Sequence, residues 1–319
     1  MKRMFNLTTS SHDLDRYKNR QEMIAMMEGF DGVELMYYGE DERQIIPPDA
    51  VIGYHIKSFT APYWLDFYKD NKKELEAEFG SMELCYEYYG SDSPKILAQE
   101  MRDELERAIS FGAEYVVVHV SDCSIEESFT GRYKHSNSEV ISAVCEIINE
   151  VFVGENLPML LLENLWVPGL TLTDVTTTQM LLDGVTYSNT GIMLDTGHFI
   201  HTDTSIRTQQ EGITYIHKML DAHGDLISRI KGVHLNQSLT GEYFEKIKQN
   251  PPALKVNYNE RVTQLFEHIF KLDLHKPFND PSIKELIKRI SPDYLTFEFI
   301  TENNNQLKMY LDQQKALLI

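Results

Sequence analysis

Short apolar runs recur along the chain at residues 4–8, 32–36, 51–56, 115–120, 158–163, 191–195, 230–235 and 294–299. Each has the length of a strand, so eight strands are expected. Between most of them the apolar positions recur at the helical period instead. Ser93-Pro94 opens one such stretch, in which Ile96, Leu97, Met101, Leu105 and Ile109 share a face and Gly112 ends it. Asp280-Pro281 opens another over 282–290, and similar patterns run through 16–28, 138–153, 173–182, 209–222 and 304–318. Strands that alternate with helices pair in parallel. Eight such units in 319 residues fit a closed (β/α)8 TIM barrel, an α/β fold, formed by a single domain over residues 1–319. The Gly-x-Gly-x-x-Gly turn of an open doubly wound sheet is missing after the first strand.

Six of the runs end in a side chain that a core would reject. They deliver His55, His119, Glu163, Asp195, His234 and Glu298, with His198 one tight turn beyond Asp195. Buried ionisable groups need partners, and Val, Ile or Leu would serve packing better. A shared divalent metal centre accounts for all of them. In a barrel of this kind the carboxyl ends of the strands carry the site. The loops agree, because the connections that follow strands, 56–90 and the insertion after strand seven at about 236–279, are long and polar.

Composition narrows the setting. Three cysteines, Cys85, Cys123 and Cys145, form neither a Cys-x-x-Cys pair nor an even set, which disfavours a disulfide frame and points to a reducing cytoplasm. No run approaches the ~18–20 apolar residues of a membrane span. A formal charge of −19 repels phosphate backbones, which counts against nucleic acid as a partner. A homo-oligomer stays open. Imidazoles and carboxylates without thiolates suit zinc, manganese, cobalt or iron(II).

Leu-Glu-Asn at 162–164, Leu-Asp-Thr-Gly-His at 194–198, Val-His-Leu-Asn at 233–236 and the strand-end Glu298 resemble the xylose isomerase-like barrel superfamily. The similarity spans roughly residues 4–318, and the Asp-Thr-Gly-His turn is its most specific piece. The superfamily holds sugar and sugar-phosphate isomerases and epimerases, and also endonuclease IV. The resemblance to the isomerase branch implies one divalent metal ion held by Glu163, Asp195, His234 and Glu298. Glu163 and Glu298 would then flank a sugar, polyol or sugar phosphate as the acid–base pair for an enediolate. His198, Trp166, Lys57, His55 and His119 would contact that substrate. The arginine that such epimerases often carry just beyond the strand-seven His is absent from Asn236-Gln-Ser-Leu-Thr-Gly.

The resemblance to endonuclease IV implies a different count. In that branch three ions are held by nine side chains, adding His55, His119, His198, Asp273 and His275 to the four above, and the substrate is abasic DNA. Two features weigh against it. The stretch from His234 to Asp273 is far longer than the short loop of that branch, and Lys and Arg in 236–279 are balanced by Asp and Glu. The one-ion sugar isomerase or epimerase is therefore the expected enzyme, with the multi-metal phosphodiesterase as alternative and a non-catalytic carbohydrate sensor behind both. His12, His135, His201, His217, His223 and His268 lack partner spacing and are expected at the surface.

Overall fold

In the computed structural model, which describes residues 1–57 and 63–318, eight parallel strands close into a barrel in sequence order. They are β1 (Lys2–Thr8), β2 (Gly32–Met36), β3 (Val51–His55), β4 (Tyr115–His119), β5 (Met159–Glu163), β6 (Thr190–Asp195), β7 (Ile230–Leu235) and β8 (Tyr294–Phe297). β1 pairs with both β2 and β8, which closes the ring and leaves no open edge. Every expected strand is present within two residues at each end.

Alternation along the strands sets what fills the barrel. Val116, Val118, Leu160, Leu162, Leu194, Val233 and Leu295 belong to the large core shared with the surrounding helices. Met4, Tyr115, Val117, Leu161 and Met193 form a separate cluster inside the ring. Following the inward positions upward, 115 and 117 lead to His119 on β4, and 161 leads to Glu163 on β5. The register keeps the delivered residues level, pairing His119 with Glu163 and Asp195 with His234. Periodicity alone therefore carries an apolar floor up into a polar mouth.

The outer helices follow the sequence signals. Lys95–Ser110 starts after Pro94 and ends at Gly112, whose amide bonds the Ile109 carbonyl at a φ of 74°. Asn137–Val151 and Gln209–His223 each begin with a capping box, at Ser136 and Thr208. The two long connections are more structured than bare polar loops. The first contains helices Leu65–Tyr68, Lys72–Phe79 and Met82–Tyr89, joined by a Phe67–Tyr89 stack at 3.8 Å; its residues 58–62 lie outside the described ones. The insertion after β7 contains Gly241–Gln249 and Tyr258–Leu272, and Leu265 of the latter packs on Ile125 and Phe129. No helix among the described residues is long and apolar enough to cross a membrane.

Candidate metal centre

Asp195 is held from three sides. It caps the helix Thr196–His201, accepting the His198 amide at 2.6 Å, and this turn brings the His198 imidazole back over the strand end. Asn164 spans β5 and β6, donating to the Asp195 carbonyl at 3.1 Å and accepting from its amide at 2.9 Å. Asn236 donates to Asp195 Oδ2 at 2.6 Å. Gly197 makes room for that amide, since a Cβ there would lie 1.9 Å from Asn236 Oδ1.

Glu163 is the hub of the site, with no exposed surface. His55 Nε2 and His119 Nε2 approach its Oε2 at 3.1 and 3.2 Å. On the other oxygen, His234 Nδ1 lies at 3.1 Å and His198 Nδ1 at 3.3 Å. Four imidazole nitrogens thus converge on one carboxylate. Donor atoms of Glu163, Asp195, His234 and Glu298 all lie within 4.8 Å of one another, as do those of His55, His119 and Glu163, and those of Asp195, His198 and His275.

The insertion closes on itself and so returns the chain to the site. Gln237 and Lys276 bond each other's backbones at 2.8 and 3.0 Å, and the Thr240 hydroxyl donates to the Leu272 carbonyl. Ser238 Oγ donates to Asp273 Oδ1 at 3.0 Å and accepts the Leu274 and His275 amides at 2.7 and 3.2 Å. Asp273 Oδ2 consequently meets His275 Nε2 at 2.7 Å and His198 Nε2 at 3.1 Å. His275 holds a φ of 43°, a left-handed conformation that a non-glycine residue keeps only when its surroundings fix it. The length of the insertion does not keep Asp273 and His275 from the site, because its neck is closed.

Burial drives every carboxyl toward its neutral form and every imidazole toward its uncharged form, so the direction of each shift reports which neighbour wins. Burial pushes Glu163 up, but the His234 and His119 imidazoles outweigh it and hold the carboxyl well below its usual range. Burial likewise opposes protonation of His234 and His198, yet the surrounding carboxylates raise both well above an ordinary imidazole. His275 rises to about 9 because Asp273 and Glu298 overcome its burial. Burial dominates at Glu298, which is pushed up to about 7. Raised imidazoles thus face lowered carboxylates across the cluster.

The donor set fits divalent ions. Its atoms are nitrogen and oxygen only, and the three cysteines belong to none of the clusters among the described residues. Several buried polar atoms have no hydrogen-bond partner, among them His119 Nδ1, His275 Nδ1 and Asn236 Oδ1. A divalent ion would offer buried atoms of this kind a charged partner. The sequence profile of the xylose isomerase-like TIM barrel family matches residues 24–280. The chain belongs to that family.

Solved structures of the same fold include endonuclease IV from Thermus thermophilus, 16% identical over 100% of this chain and 99% of that one, with a TM-score of 0.53. They also include 3-keto-D-glucoside 4-epimerase from E. coli, 12% identical over 99% and 98%, TM-score 0.48. A sugar phosphate isomerase/epimerase from Parabacteroides distasonis is 13% identical over 99% and 97%, TM-score 0.48. No curated protein sequence matches the chain. Identity this low speaks to the fold alone.

Two further residues of this xylose isomerase-like barrel belong beside the centre and gave no sequence signal. Glu34, third residue of β2, is buried with Oε1 at 2.8 Å from His234 Nε2. His201, expected at the surface, is buried with Nε2 at 3.8 Å from Asp273 Oδ1, and burial lowers its pKa to about 4. The same expectation fails for His223 and His268, which are also buried. Trp166 stands beside the cluster, its ring 5.1 Å from His198 and 5.0 Å from His201. Lys57 is drawn elsewhere, its amide donating to Glu104 Oε2 at 3.0 Å and its ammonium 3.9 Å from Glu104 Oε1.

Proposed function

We propose that this barrel is a multi-metal hydrolase of phosphate esters, with up to three divalent ions at its carboxyl face. The observation that carries the reading is the surrounding of Glu163 by His55, His119, His198 and His234 at 3.1 to 3.3 Å. An enediolate mechanism needs a carboxylate oxygen turned to the substrate as base, and both oxygens of Glu163 are already engaged. A carboxylate that helps to hold more than one ion would use both oxygens in this way. Asp273 and His275 extend the same donor field outward through His198, which a one-ion centre would not require.

Bound divalent ions would make water nucleophilic near neutral pH and offset charge on phosphoryl oxygens. The chain's own groups prepare the place for this. Glu163 spans the inner imidazoles, Asp195 is fixed by Asn236 and the His198 amide, and Glu298 has a side chain that reaches 13% exposure at the mouth. Trp166 stands at the rim, where a ring can cover the apolar face of a sugar. A net charge of −19 and the mixed signs along the insertion favour a small phosphorylated molecule over a long nucleic acid. The three cysteines are free and buried, which suits a reducing cytoplasm.

The sugar isomerase or epimerase remains a second reading, supported by the proximity of Glu163, Asp195, His234 and Glu298. Metal counting on protein purified without chelator separates the two. About three ions per chain, with chelator-sensitive hydrolysis of small phosphate mono- or diesters, is the expected result. One ion per chain with interconversion of sugar isomers and no hydrolysis would replace the proposal by the second reading. Salt-sensitive incision of an abasic duplex would keep the chemistry and move the substrate to DNA.

A further inference from the structure

We propose that Glu34 is a positioning residue that fixes His234 with Nε2 turned into the barrel and Nδ1 presented to the metal centre. The inference rests on the reading of His234 as a metal ligand and adds to it a residue below the mouth. Glu34 comes from β2, a strand that contributes no donor at its end. Its Oε2 accepts the Tyr115 hydroxyl at 2.5 Å and the Thr296 hydroxyl at 2.9 Å. The other oxygen faces His234 Nε2 at 2.8 Å, in a contact bent away from hydrogen-bond geometry. Strands β2, β4, β7 and β8 all meet at this one carboxylate.

The barrel has been shaped around that contact. At Gly53 on β3, a Cβ would lie 2.2 Å from the Tyr115 ring and 2.3 Å from its hydroxyl. Only the missing side chain lets Tyr115 reach across to Glu34. A buried carboxylate with no role would be costly in this position, because an apolar residue could fill the same space with nothing to desolvate.

The consequence for His234 follows from proton arithmetic on its ring. A neutral imidazole has one N–H and one lone pair, and a carboxylate only accepts. Two hydroxyls already donate to Glu34 Oε2, so Oε1 is the acceptor left beside Nε2. An ion held at Nδ1, the nitrogen that lies 3.1 Å from Glu163 Oε1 and 3.3 Å from Glu298 Oε2, would take the ring's lone pair and leave its proton on Nε2 beside Glu34 Oε1. Carboxylates that orient ligating histidines in this way raise ligand basicity, and their loss weakens metal binding by ~10–100-fold.

Zinc titration against a chromophoric competitor tests the role, with Glu34→Gln compared in the parent chain and in a His234→Asn background. Glu34→Gln should weaken zinc binding at least ~10-fold in the parent and change little in the variant that lacks the imidazole. The visible spectrum of the cobalt-loaded protein should shift with Glu34→Gln as the ligand field at His234 changes. Equal zinc affinity for parent and Glu34→Gln, or the same loss in both backgrounds, would overturn the role while leaving the centre intact. A parent chain that takes up neither zinc nor cobalt would remove the centre and the role together. Should Glu34→Gln not fold, Glu34→Asp, which withdraws the carboxylate by one methylene, carries the same expectation.

Discussion

His198 Nε2 lies 3.1 Å from Asp273 Oδ2, although 75 residues and a two-helix insertion separate them. The pairing is possible because the neck of the insertion is sealed by Gln237 and Lys276, so its two ends leave and re-enter the barrel side by side. What lies between can lengthen at little cost to the site. Asp273 is therefore tied to the centre through His198 and His275.

From this comes the first prediction. Asp273→Ala removes one anionic donor from His198 and His275 but leaves the contacts of Glu163 with His55, His119 and His234 in place. Metal content should fall by one ion per chain, and hydrolysis should drop by ~10²-fold or more. Plasma mass spectrometry of the purified variant reads the count directly. An unchanged count would detach Asp273 from the centre.

Glu163→Gln should be far more severe. Its carboxylate faces four imidazoles at once, and a glutamine removes the charge, keeps one acceptor oxygen and turns an NH2 group toward the nitrogens around the other. Breaking a buried charge cluster of this kind costs about 3–5 kcal/mol. The variant should bind at least two fewer ions than the parent and melt several degrees lower even without metal. Retention of the full metal complement would restore Glu163 to the part of a free acid–base group.

Much of this was legible in the chain before its fold was known. The eight strands announced themselves because each buries a run of Val, Ile, Leu or Met, and the residues ending them stood out because they are ionisable where apolar side chains should be. Glu34 was hidden by the same rule. In Gly-Val-Glu-Leu-Met it alternates with Val33 and Leu35, which reads as a solvent-facing position; only closure of the ring turns that face inward. His201 gave no signal because the groups it meets, Trp166 and Asp273, lie far from it along the chain. The helix Tyr258–Leu272 was obscured by Phe266 and Phe270, which remain 53% and 57% exposed and blur its apolar stripe.

Gly197 offers a prediction from a residue with no functional group. A methyl added there would lie 1.9 Å from Asn236 Oδ1, and Asn236 is the amide that holds Asp195 Oδ2 at 2.6 Å. Gly197→Ala should cost about 1–3 kcal/mol through overpacking and should loosen Asp195. Thermal melts with and without added zinc would show it, since the variant should lose part of the metal-dependent rise in melting temperature. An equal rise in parent and variant would mean that Asn236 does not hold the site together.

The last prediction concerns pH and a histidine outside the centre. His268 links the insertion to the barrel: Nε2–H donates to the Ser128 carbonyl at 3.1 Å, and Nδ1 accepts the Tyr243 hydroxyl at 2.9 Å. The Ser128 bond places a proton on Nε2, and the Tyr243 bond needs a lone pair on Nδ1, which only the neutral ring has. Burial supplies that neutrality, lowering the pKa from 6.5 to about 4. The unfolded chain binds this proton below about pH 6.5, whereas the folded chain resists it until about 4. Stability from His268 is therefore complete above pH 6.5 and is lost as the pH falls through that window, by about 3 kcal/mol at most. His268→Gln cannot take up the proton, so it should be the less stable chain at pH 7 and should lose less on going to pH 5. Other buried histidines titrate in the same range, which makes the difference between the two proteins the quantity to measure by urea denaturation at each pH. If parent and variant lose the same stability between pH 7 and pH 5, then His268 is not the group that ties the insertion to acid sensitivity.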